Sequence, residues 1–227
     1  MLEAYDLRGT FFVTHQSPAL DRLRASGRVE LAWHPNFLPG SSQGASPDAV
    51  LATMAQWVPE AVGARAHCLV QGTPTLLAYR RCGLRYDAAT LRDHVPGLAP
   101  FLSWTGLWDL PIWFEDDVHL ERGRPCRLDA LPLENPGLKV LTFHPTLVAL
   151  DAPNLEHYAA LKRALTGPLS EATPEHFAAH KGVRGLGTLF RDVCAWLSTR
   201  RDVAGGTLGE LVSGLDAPLG SPPPPPA

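Results

Sequence analysis

Two periods of apolar spacing alternate along the first eighty residues. Gly9 to Thr14 (GTFFVT) is a β-branched and aromatic run that predicts a buried strand. Ser17-Pro18 then offers a helix N-cap with proline at the first helical position, Leu20 and Leu23 share one helical face, and Gly27 marks the stop. Val29 to Trp33 (VELAW) predicts a second strand. After a polar loop, Ser46-Pro47 opens a helix in which Val50, Leu51, Met54 and Val58 recur at helical spacing. Arg65 to Val70 predicts a third strand, followed by Thr73-Pro74 and a helix that closes near Gly83. Repeated strand-helix units predict a parallel sheet, and a (β/α) barrel presents its chemistry on the loops leaving the C-terminal strand ends.

Farther on the pattern loosens. Short strands are predicted at Leu84 to Tyr86, Leu110 to Phe114 and Leu138 to Phe143, separated by a proline-, glycine- and tryptophan-rich stretch that predicts long loops. Asn154 to Leu165 and Thr173 to His180 predict helices, and Leu186, Leu189, Phe190, Val193 and Leu197 form an apolar stripe at helical spacing. The closing SPPPPPA suits neither a helix nor a central strand, so the expected organisation is one domain over residues 1–216 and a disordered tail over 217–227. A chain of 227 residues is long enough for one sizeable core.

Composition narrows the partners. A net charge of -3, with 19% charged residues, gives no reason to expect nucleic acid or an anionic membrane surface. No run approaches the ~18 apolar residues of a membrane span and no leader pattern opens the chain, so a cytoplasmic location is expected. Cys68, Cys82, Cys126 and Cys194 form no C-x-x-C pair and read as buried free thiols.

The candidate chemistry sits where strands are expected to end. His15, His34, His67 and His144 each follow an apolar run, and His34-Pro35 and His144-Pro145 repeat one strand-to-His-Pro junction. Pro35 biases His34 towards extended backbone, where a neutral imidazole can ligate a divalent ion, and the amide of Asn36 can orient substrate or water. Arg65 and His67, if in one strand, point to the same side, and an arginine can pin a carboxylate with two hydrogen bonds. Glu115-Asp116-Asp117 follows the apolar PIWF: it reads either as a solvated loop tip or as acids delivered for metal binding or general-base work. Trp113, with Trp33, Trp104 and Trp108, reads either as a stacking face for sugars or as core.

Taken together, GTFFVTH, ELAWHPNF, ARAHCLVQ with the following GLRYD, PIWFEDD and LKVLTFHP resemble the polysaccharide deacetylase (NodB-homology) superfamily, and within it a bacterial branch linked to surface-polysaccharide modification with His-Pro-Asn-Phe at the second motif. The resemblance spans roughly residues 2 to 165. It implies a distorted (β/α) barrel and a divalent metal, zinc, that removes acetyl groups from the N-acetylated sugars of a polysaccharide or its precursor. By that resemblance His34 is a metal ligand, Arg65 orients the catalytic carboxylate and His144 is the general acid. Two departures follow. The family's second histidine, four residues after the first, is replaced here by Leu38, so His67 is expected to supply that ligand. The family's opening strand with its aspartate pair has no counterpart in Met1 to Arg8, so the implied barrel lacks its first strand. Such a chain is either inactive as written or uses Glu115, Asp116 or Asp117 in place of those carboxylates. The alternative from a different class is a catalytically dead sugar-binding or scaffold barrel.

Overall fold

The computed structural model describes residues 1–219 and is an α/β fold with parallel strands flanked by helices. Its residues fall into two compact units. One comprises Leu2–Leu91, Leu98–Ile112 and the segment from Ala204; the other comprises Met1, Arg92–Gly97 and Trp113–Val203.

The first unit is built on a six-stranded sheet. Its strands are β1 (Gly9–Val13), β2 (Val29–Trp33), β3 (Gly63–Ala64), β4 (Tyr86–Asp87), β5 (Phe101–Leu102) and β6 (Trp108–Asp109), ordered β1-β2-β3-β4-β6-β5. All neighbours are parallel except β5, which pairs antiparallel with β6. Helices α1 (Ala19–Ser26), α2 (Pro47–Trp57) and α3 (Thr73–Arg81) make the crossovers. The predicted punctuation is realised: Gly27 takes a left-handed conformation after α1, and the Ser46 hydroxyl accepts from Ala49 N–H with Pro47 at the start of α2.

Period-two alternation gives the sheet two apolar faces. Val13, Leu31 and Trp33 pack with Leu51, Met54 and Tyr79 of the crossover helices, whereas Tyr86, Trp108 and Leu110 pack with Val212. Gly63 is required here, because a Cβ at that position would lie 2.1–2.2 Å from ring carbons of Tyr86.

The second unit, from Trp113 onward, contains all but the first residue of β7 (Ile112–Glu115), which forms a two-stranded sheet with β8 (Val140–Thr142), and α4 (Asp116–Glu121), α5 (Pro145–Ala149), α6 (Leu155–Ala164), α7 (Pro174–Ala179) and α8 (Leu186–Thr199). The final helix, α9 (Leu208–Leu219), returns to the first unit. It takes up the first three positions of the expected tail, and 220–227 lie outside the described residues.

Three expectations need correction. Arg65 to Val70 is not a strand: β3 stops at Ala64, and His67–Leu69 is a tight turn in which Cys68 and Leu69 both have positive φ, 54° and 52°. The stretch expected to hold long loops also contains the β5-β6 hairpin, which was not predicted and whose turn uses Gly106 at φ 80°. Of the cysteines, Cys126 and Cys194 are buried as expected, but Cys68 and Cys82 are exposed.

Candidate functional site

Register places a polar row along the C-terminal edge of the first unit's sheet. Trp33 pairs with Ala64, Ala64 with Asp87, and Asp87 with Asp109, so His34, Arg65, Asp87 and Asp109 end four successive parallel strands. His67 N–H donates to Pro35 O at 2.9 Å, which ties its turn to the His34-Pro35 junction. The two imidazoles meet edge to face, with ring centroids 5.6 Å apart. Arg65 is buried: its Nε donates to Ala88 O at 2.8 Å and its guanidinium lies over the Phe12 ring at 4.3 Å. Asn36 is partly buried, and its side-chain oxygen accepts from Leu38 N–H.

Asp87 closes the GLRYD segment but was not singled out as a site residue, and Asp109 carried no sequence motif. Asp87 is 2% exposed; one carboxylate oxygen accepts from Gln71 Nε2 at 2.5 Å and from Ala89 N–H, and the other has no hydrogen-bond partner. Burial pushes its pKa up to about 6, with repulsion from Asp109 adding to the rise, while Gln71, the Ala89 amide and the Arg65 charge oppose it. Asp109 accepts from the Thr90 hydroxyl at 2.6 Å.

The second unit brings the acidic run and His144 together. Asp116 is fully buried at the start of α4, where it is a first-turn acid favoured by the helix dipole, and is not part of a solvated loop tip. One of its oxygens meets His144 Nδ1 at 2.5 Å and accepts from Asp117 N–H, and the other accepts from His144 N–H at 2.7 Å. A carboxylate only accepts, so Nδ1 carries the hydrogen and Nε2 faces away from Asp116. Burial alone would lower the His144 pKa, but the hydrogen bond and charge of Asp116, helped by Asp117 and Glu115, raise it to about 9. Glu115 is 6% exposed at the end of β7. Trp113 is 1% exposed and stacks on His94 at 4.6 Å, so it is a core residue and presents no open face for a sugar.

Two sets of donors bear on a metal. Among the described residues, Asp116, Asp117 and His144 are the one group of three potential ligands whose donor atoms lie within 4.8 Å of one another. Their donors are partly committed, since Asp116 already takes two backbone amides and the imidazole N–H, and His144 is held in its protonated form. The His34 and His67 imidazoles are donors of the type zinc prefers, and they supply two of the four ligands a tetrahedral site needs. Either set fits a divalent ion in part.

The family profile described as WbmS-like polysaccharide deacetylase matches residues 1–162. A solved protein of Bordetella bronchiseptica, named for polysaccharide deacetylation in O-antigen biosynthesis, shares 27% identity at a TM-score of 0.75, over 86% of this chain and 81% of its own. A solved protein of Mycobacterium smegmatis, also named for polysaccharide deacetylation, superposes over all of this chain and 77% of its own with a TM-score of 0.53; at 19% identity it speaks to the fold alone. No curated protein matches. Among the described residues no helix is long and apolar enough to cross a membrane.

Proposed function

Because the chain belongs to the WbmS-like polysaccharide deacetylase family, we propose that it is a metal-dependent hydrolase that removes acetyl groups from N-acetylated sugars of a surface polysaccharide or its precursor. The observation that carries this reading is buried Asp116 meeting the partly exposed His144 imidazole at 2.5 Å.

Amide hydrolysis needs a proton on the departing nitrogen, because an amide anion is too poor a leaving group at neutral pH. His144 is built to supply it. Asp116 holds the imidazole by Nδ1, fixes the adjoining backbone through His144 N–H, and keeps the ring protonated at neutral pH, which leaves Nε2–H to be donated. Asp117 adds charge that favours the same protonated form. Arg65, locked by Ala88 O and Phe12, is a permanent cation among the strand-end carboxylates and steadies their ionised forms. Asn36 and Glu115 are assigned to substrate positioning. His34 and His67 would hold the divalent ion, zinc by donor type, which when bound supplies Lewis-acid polarisation of the carbonyl and a more acidic water.

The test is elemental analysis beside acetate release from N-acetylglucosamine oligomers. His144→Ala and Asp116→Asn are expected to lower turnover by about 10²-fold or more while retaining metal, and His34→Ala or His67→Ala to lose the metal. Metal kept in both of those variants and lost in Asp117→Ala would move the ion to Asp116, Asp117 and His144, the second reading that their 4.8 Å convergence favours. Metal-loaded protein that binds the oligomers without releasing acetate would establish the sugar-binding alternative.

A further inference from the structure

The strand-end row contains a side chain whose orientation the fold dictates and whose outward group the fold does not use. Gln71 is exposed, yet its Nε2 reaches inward to Asp87 Oδ2 at 2.5 Å and to Thr90 Oγ1 at 3.3 Å. An ionised carboxylate can only accept, so the amide must turn its NH2 inward and its carbonyl outward. No hydrogen bond among the described residues uses Gln71 Oε1.

What lies beneath Gln71 is costly for a purely structural anchor. Asp87 is 2% exposed with one oxygen unpartnered, and it sits beside a second carboxylate, Asp109, in the same row. A neutral side chain would hold a surface glutamine without the cost of burying charge. The approach to Gln71 is costly as well, because Cys68 and Leu69 are consecutive L-residues in the left-handed region. Strain of this kind persists where a segment must present a group in one place, and this segment also carries Arg65 and His67.

We propose that Gln71 is a sugar-binding residue, its Oε1 accepting a hydrogen bond from a hydroxyl or acetamido N–H of the substrate, and that Asp87 is the positioning residue that fixes the amide. A planar amide held in one orientation selects donors over acceptors, and sugar hydroxyls and acetamido groups are donor-rich. This inference rests on the deacetylase reading.

The test is calorimetric titration of N-acetylglucosamine and N-acetylgalactosamine oligomers into zinc-supplemented wild type, Gln71→Ala, Asp87→Asn and the double variant. Gln71→Ala is expected to weaken binding about threefold to tenfold, as for one hydrogen bond, with the fold retained and Tm lowered by the donor that Asp87 loses. In acetate release the same factor should fall on KM and leave kcat unchanged. The double variant should bind no more weakly than Gln71→Ala, because Asp87 acts through the glutamine. Wild-type binding unaltered in Gln71→Ala overturns the assignment and leaves the deacetylase reading standing. Losses that add in the double variant overturn the role of Asp87. A wild type that binds none of the oligomers removes the deacetylase reading and this inference with it. Because Gln71 is exposed, its variant decides the matter even if Asp87→Asn does not fold.

Discussion

Asp116 and Asp87 are both buried carboxylates, and their surroundings set them to opposite tasks. Asp116 spends its lone pairs on two backbone amides and an imidazole, and passes its charge on to His144. With its folded pKa raised to about 9, His144 contributes stability that is fully present below its ordinary 6.5 and is lost as pH rises through about 9. Activity that depends on the imidazolium should therefore fall on the alkaline side near pH 9 in the wild type. In Asp116→Asn that limb should move to lower pH, since burial remains and the largest opposing contribution is lost; NMR titration of the His144 ring would follow the same shift. Asp87 runs the other way. A carboxyl whose pKa is raised from 3.8 to about 6 stabilises the fold below 3.8 and loses that contribution as pH climbs through 6, by about 3 kcal/mol at most. Urea unfolding of Asp87→Asn should lack this decline between pH 4 and 7.

At the scale of elements, the parallel sheet depends on a close approach that only glycine permits. Gly63→Ala would drive a methyl into the Tyr86 ring, and it is expected to cost about 3 kcal/mol or more in urea unfolding, as severe overpacking does. The last helix depends on polar anchors. Glu30 accepts from the Thr10 hydroxyl, the Tyr86 hydroxyl at 2.9 Å and Gly209 N–H at 2.9 Å, and Asp216 takes Trp108 Nε1 and Arg85. Glu30→Ala leaves the buried Tyr86 hydroxyl and a helix-start amide without this partner. It should cost about 2–4 kcal/mol and make α9 more sensitive to proteolysis, as a lost charged acceptor predicts. Helix α9 could not be read ahead of the structure, because LGELVSGL is short and contains two glycines; its stability comes from tertiary anchors that periodicity does not register.

For the whole molecule, a bound ion acts on the folding equilibrium as well as on the reaction. If His34 and His67 hold zinc, adding it at 100 times its Kd should stabilise the protein by about 2.7 kcal/mol, and a chelator should reverse the gain. The gain should vanish in a His34→Ala, His67→Ala double variant, as a thermal melt would show. The chain divides into two compact units, with the imidazole pair, Arg65 and Asp87 in one and Asp116 and His144 in the other.

Strand-helix repeats, the Ser46-Pro47 cap, the Gly27 stop and the two His-Pro junctions were legible along the chain, because each is set by neighbours within a few residues: side-chain period, proline's fixed φ, glycine's left-handed conformation. Family membership was legible for the same reason, since it lies in short ordered motifs. What tertiary structure decided involves partners far apart in sequence. The end of β3 at Ala64 separated Arg65 from His67, although alternation along a strand would have put them on one side. Trp113 became core because aromatic identity does not specify exposure. Asp116 found His144 twenty-eight residues away, and Gln71 found Asp87 across a helix. Local sequence determined which elements form and where they stop. Only packing decided which carboxylate is buried beside which base, because desolvation and charge depend on every element folded around a group and not on its neighbours in the chain.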